Sequence, residues 1–179
     1  MKMSTNLLFV PALAALALLV IFFAKITINA EDNMSDKFIE AMRQEALKGL
    51  AEGGVPIGGI LVHNGEIVAR GHNRRVQHGN PILHGEIDTL SNAGRHPAGF
   101  YRESVLYTSL SPCIMCTGAI LLYKIPEVVI GEDTNFKGEA EFLRSRGVKV
   151  TILNDPELIE MMKKFIEKNP ELWNEDIAE

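Results

Sequence analysis

The sequence predicts an α/β fold: three layers, α-β-α, around one five-stranded mixed sheet, with a hydrophobic helix ahead of it. Three features predict it. Strand-like apolar runs alternate with helix-period segments in the order α-β-β-α-β-α-β-α-β-α. Asn64-Gly65 between the first two strands is a two-residue hairpin signal, so that pair is antiparallel. Each later strand is separated from the next by a helix, and such crossovers place helices on both faces of one sheet. The 179 residues suffice for one domain with a real core.

The elements follow in order. Asp36–Ala51 has helical spacing, with Phe38, Ile39, Met42, Ala46, Leu47 and Leu50 on one face, and Gly53-Gly54 ends it. Ile57–His63 and Glu66–Gly71 are the hairpin strands. Gly71–Leu83 is a polar loop containing His72, Asn73, His78 and Pro81. A helix runs from near His84 to Gly94. Ser104–Ser109 is a strand, and Pro112–Tyr123 is a helix with proline in its first turn. Glu127–Gly131 is a strand, followed by a loop around Phe136. Glu139–Arg146 is a helix, Val148–Leu153 a strand and Pro156–Glu167 a helix. A tail containing Trp173 closes the chain.

The first thirty residues differ in kind. From Leu7 to Ala24 no residue is charged, and a helix of that length spans roughly 27 Å, near the thickness of a hydrocarbon core. Lys2 precedes the run and Lys25 follows it. Residues 1–30 therefore read as an N-in transmembrane signal anchor, or as a signal peptide ending near Ala30. On that reading the domain 34–179 is membrane-anchored or exported. Met34 opens MSDKFIEAM, and translation starting there gives a cytoplasmic chain without the anchor.

The net charge is −5. Lys2, Lys25, Glu31 and Asp32 cancel, so the domain from Met34 carries all of it. Phosphate contacts need clustered Lys and Arg, and Arg70, Arg74 and Arg75 form only a small patch. A nucleic-acid partner is not expected; a small uncharged substrate fits better. Cys113 and Cys116 are the only cysteines, so no disulfide framework beyond that pair exists.

That pair belongs to Ser-Pro-Cys-Ile-Met-Cys at 111–116. Residues three apart at a helix start present both sulfurs on one face, and a helix N-terminus favours the thiolates that zinc binds. A lone C-x-x-C is equally a redox pair or half a structural zinc module. The other half here is His84-Gly85-Glu86, at the start of its own helix. Both helix N-termini lie at the same edge of the sheet, where open α/β sheets bind ligands. His84, Cys113 and Cys116 make three zinc ligands, one zinc per chain, and a tetrahedral ion then keeps a position for water. Glu86 reaches that position without being a ligand. H-x-E followed by P-C-x-x-C is the signature of zinc deaminases.

GGVPIGGILV, the GHN at 71–73, LHGEIDTL at 83–90, TSLSPCIMCTGAI at 108–120 and the terminal ELWNEDIAE together resemble the fungal-type cytosine deaminases, within the zinc-dependent cytidine/deoxycytidylate deaminase superfamily. The resemblance runs from about residue 36 to the end and omits the first thirty residues. It implies a cytidine-deaminase-like fold, a nucleobase substrate and a homodimer. It assigns base recognition to Asn73, an aromatic lid to Phe136 and Trp173, a carboxylate near the base to Asp176 and an apolar wall to Ile57. Gly85 and Ser111 stand where tRNA adenosine deaminases usually have Ala and Glu.

The expected reaction is hydrolysis of cytosine to uracil and ammonia, with Glu86 carrying protons. The enzyme alternatives are a guanine or a tRNA adenosine deaminase. The non-enzyme alternative is a membrane-anchored structural zinc module, which needs a fourth ligand such as His72 or His78.

Overall fold

The computed structural model describes residues 36–179. The apolar run 7–24, and with it the segment 1–30 assigned above, lies outside the described residues. Among the described residues no helix is long and apolar enough to cross a membrane.

A helix, α1, covers 36–51. The hairpin follows as β1 (Gly58–His63) and β2 (Glu66–His72), then α2 (Arg75–His78), α3 (Gly85–Ala93) and α4 (Ala98–Arg102). Next come β3 (Ser104–Leu110), α5 (Ile114–Tyr123), β4 (Glu127–Glu132), α6 (Ala140–Ser145) and β5 (Lys149–Ile152). Two helices end the chain, α7 (Pro156–Lys168) and α8 (Pro170–Ile177). The sheet order is β2-β1-β3-β4-β5; β1 runs antiparallel to β2 and β3, while β3, β4 and β5 are parallel. This is the five-stranded mixed sheet that the hairpin and the crossovers predict. Asn64 and Gly65 at the hairpin tip both have positive φ, 50° and 76°, as a type I′ turn requires.

The sheet is covered on both faces, and the strands alternate accordingly. Leu61 and Leu106 point into a cluster with Leu90, Ile120 and Leu143 under α3, α5 and α6. Ile60 and Val62 point the other way, against Phe38 and Ala41 of α1. Small residues set how closely the helices approach. A Cβ on Gly58 would collide with the α1 backbone at Met42 and Ala46, and one on Gly71 would collide with the α3 backbone at Thr89. Gly71 pairs with Gly59 in the register of β1 and β2. That glycine pair seats α3, and with it His84 and Glu86, directly on the sheet.

Four details differ from the sequence reading. Residues 71–83 are not wholly loop, because β2 reaches His72 and α2 forms within them. The five residues of α4 are too few to show a helical period. The tail is a helix, α8: Pro170 at its first turn starts it immediately after α7. Finally, Leu47 and Leu50 are exposed, at 43% and 39%, and line a hollow of about 810 Å³ between α1 and α7. Gly49 faces inward in their place, against His72.

Candidate metal centre and active site

His84 and Cys113 occupy equivalent places. Each is the extended N-cap residue of its helix, His84 at φ −67°, ψ 162° and Cys113 at φ −70°, ψ 173°. Neither side chain caps its own helix, so both are free to face a shared ligand. Cys116 lies one turn into α5 and is fully buried. The donor atoms of His84, Cys113 and Cys116 all lie within 4.8 Å of one another. Among the described residues no fourth protein donor joins them. Cys113 Sγ sits 3.6 Å from His84 Nδ1, which identifies Nδ1 as the metal-facing nitrogen. Nε2 faces Asp176 Oδ1 at 4.0 Å, the outward partner that ligating histidines usually have. Two thiols and an imidazole converging this closely suit zinc, which binds three protein ligands and an exchangeable fourth at catalytic sites.

The protonation of the cluster follows from who shares protons with whom. The hydrogen bond from Cys116, joined by one from His84, holds the Cys113 thiol down to about 4. The same bond, with burial behind it, pushes Cys116 upward. Burial draws His84 down, but its bond to Cys113 and the Asp176 charge outweigh that, and its net shift is upward. Glu86 is 3% exposed. Burial, reinforced by the charge on Cys113, pushes it up to about 7. A carboxyl poised near neutrality both accepts and returns protons.

The pocket above the cluster is small. Its walls are Ile57, Leu110, Ser111, Phe136, Trp173 and Ile177, with His84, Glu86, Cys113 and Asp176 as the polar groups. It offers about 20 Å³, room for about one water, and α8 contributes Trp173, Asp176 and Ile177 to its wall. Phe136 and Trp173 meet edge to face at 5.8 Å. Asn73 is fully buried beside the pocket and donates through Nδ2 to Asp176 Oδ1 at 2.6 Å. Its backbone N–H donates to the Ile57 carbonyl at 2.8 Å. His84, Glu86, Cys113, Cys116, Asn73, Ile57, Phe136, Trp173 and Asp176 thus belong to one constellation. The larger hollow between α1 and α7 lies elsewhere and holds no comparable cluster.

Neighbouring residues fix this constellation. Gly85 is required by packing: a Cβ there would lie 2.8 Å from the Ile57 carbonyl oxygen. Ser111 donates to the Lys137 carbonyl at 2.7 Å. Buried Glu132 accepts from the Thr134 and Asn135 backbone at 2.6 and 3.0 Å, pinning the loop that carries Phe136. His72 is no zinc ligand, since its ring faces Glu45 at 3.1 Å and Glu52 at 2.8 Å. The sequence gives no sign of Leu110, Ile177 or Glu132 at the site, and marks Arg75 only as part of a small basic patch. Their roles depend on partners distant along the chain, although the sharp Asn-Pro start of α8 was a readable helix signal.

The fold and site define a three-ligand zinc hydrolytic centre with a buried carboxylic acid. The chain belongs to the cytidine and deoxycytidylate deaminase zinc-binding family, which it matches over residues 32–132. It is 47% identical over 144 residues to the cytosine deaminase of Candida albicans, covering 80% of this chain and 96% of that protein. It is 36% identical over 107 residues to a tRNA-specific adenosine deaminase of Streptococcus pyogenes serotype M18, covering 59% and 67% respectively. The guanine deaminase of Nitrosomonas europaea has the same fold, with a TM-score of 0.60 at 21% identity over 72% of this chain and 82% of that one.

Proposed function

We propose that this protein hydrolyses cytosine to uracil and ammonia, in pyrimidine salvage. The observation that carries the reading is the three-ligand His84-Cys113-Cys116 cluster beside buried Glu86, under a tight lid of Phe136, Trp173 and Ile177. The likeness to the Candida albicans protein, which covers 80% of this chain and 96% of that one, supports cytosine as the base.

When bound, zinc supplies the Lewis acidity that makes water nucleophilic near neutral pH. Glu86 takes a proton from the attacking water and delivers it to the ring nitrogen beside C4. It then passes a second proton to the departing amino group. Asn73 and Asp176 hold the polar edge of the base, and Ile57, Phe136 and Trp173 pack on its faces and exclude water. A site built of hydrogen-bonding groups discriminates strongly against bases that leave those groups unpaired. Assays with cytosine, guanine, adenine and a tRNA hairpin test the reading. Cytosine turnover far above the others is expected, and preferential turnover of guanine or of the hairpin contradicts it.

The architecture also supports a homodimer. Ile114, Leu122 and Tyr123 of α5 are 63%, 73% and 43% exposed, beside a hollow lined by Ile87, Leu90 and Tyr101. A two-fold contact between copies covers such a face. The uncharged run 7–24, flanked by Lys2 and Lys25, supports a membrane anchor ahead of the catalytic domain 34–179, with a cleaved signal peptide or a cytoplasmic start at Met34 as the alternatives.

A further inference from the structure

Arg75 begins the four-residue α2 and is only 7% exposed. A guanidinium at that depth requires partners, and its partners are two consecutive residues of α8. Nη1 donates to Asp176 Oδ1 at 3.2 Å, and Nη2 lies 3.2 Å from Glu175 Oε1. The backbone N–H of Arg75 also donates to Asn73 Oδ1 at 3.1 Å. Asn73 in turn donates from Nδ2 to that same Asp176 oxygen.

These bonds close a ring. Arg75 orients the Asn73 amide through its main chain and the Asp176 carboxylate through its side chain. The hydrogen bonds on Asp176 among the described residues all fall on Oδ1. α8 supplies Trp173, Asp176 and Ile177 to the pocket wall, and among the described residues the charged contacts that join it to the body are the two pairs of Arg75 and the longer approach of His84 Nε2 to Asp176 Oδ1 at 4.0 Å.

We propose that Arg75 is a positioning residue that latches α8 over the site and sets the aim of Asp176. The assignment rests on the cytosine deaminase reading for its kinetic consequence, but not for the latch itself. Arg75 touches neither the metal ligands nor Glu86, so its removal acts on substrate retention more than on proton transfer.

The test uses the full zinc-loaded chain carrying Arg75→Gln, Arg75→Lys or Glu175→Gln. For Arg75→Gln the KM for cytosine should rise about tenfold to a hundredfold, the range for a lost charged hydrogen bond, with kcat changed by less than about threefold. Arg75→Lys restores the charge but not the fork, so its KM should fall between wild type and Arg75→Gln. Glu175 is 64% exposed in its side chain, so its pair with Arg75 is the weaker half of the latch, and Glu175→Gln should raise KM less than Arg75→Gln does. Hydrogen exchange should quicken over 170–177 in Arg75→Gln, while α3 and α5 keep their protection.

A KM within about twofold of wild type in a zinc-loaded Arg75→Gln protein overturns the assignment, as does a loss confined to kcat. If Arg75→Gln does not fold, Arg75→Lys decides: a KM rise with faster exchange in α8 supports the latch, and an unmoved KM overturns it. Wild type that turns over another base but not cytosine removes the substrate reading, and the exchange over 170–177 still decides the latch.

Discussion

His84, Cys113, Cys116 and Glu86 were legible because each pair is local: two residues apart in one motif, three in the other, both at helix starts. Arg75 was not legible, because its burial and its partners come from α8, about a hundred residues on. Gly85 is the residue where packing and chemistry meet most closely. Gly85→Ala should lower stability by about 1–3 kcal/mol, since the added methyl falls against the Ile57 carbonyl, and cytosine kcat/KM should fall because that carbonyl also holds Asn73. Thermal unfolding of the metal-loaded protein measures it; an unchanged midpoint with full activity contradicts the packing argument. The proton ledger of the site gives a second expectation. Cys113 binds zinc without giving up a proton at pH 7, being held down to about 4, whereas Cys116, pushed upward, must release one. Zinc uptake should therefore release about one proton or more, and affinity should weaken as pH falls. Calorimetry in buffers of different ionisation enthalpy reads that number, and uptake without proton release contradicts the assignment.

Most elements of the sheet and its covering helices could be read from period and punctuation. Asn64-Gly65, Pro112 and Pro156 each mark a boundary near where the structure places it. The elements that escaped are short or borrowed their stability from elsewhere. α2 and α4 are a turn or so long, and α8 is held by Trp173 packing on Val55, Ile57 and Met162 and by Arg75. Leu47 and Leu50 were read as core because they share a helical face with Met42, but Gly58 draws α1 onto the sheet along its small residues and turns those leucines outward. A chain truncated after Pro170 loses Trp173 and Asp176. It should remain folded and zinc-loaded, because the metal ligands belong to α3 and α5, while cytosine kcat/KM falls by about a hundredfold or more as the lid disappears. Unchanged cytosine kinetics in the truncated chain contradict a lid role for α8.

For the molecule as a whole, the catalytic elements form one compact unit from Phe38 to Glu179. Leu122→Glu places a charge on the most exposed apolar side chain of α5 and should convert a dimer to a monomer in light scattering, without loss of bound zinc. A wild-type protein that is already monomeric contradicts the dimer. Fractionation of cells expressing a C-terminally tagged gene tests the anchor: full-length protein in the membrane pellet is expected, and a soluble product beginning at Met34 contradicts it. The central claim is that zinc held by His84, Cys113 and Cys116 acts with Glu86 to deaminate cytosine, and one comparison tests it most directly. Cytosine turnover and bound zinc are measured side by side for wild type and Glu86→Gln. The account predicts about one zinc per chain in both proteins, with turnover in the variant lower by about a thousandfold or more. Near-wild-type turnover by Glu86→Gln, or loss of zinc along with activity, would contradict it.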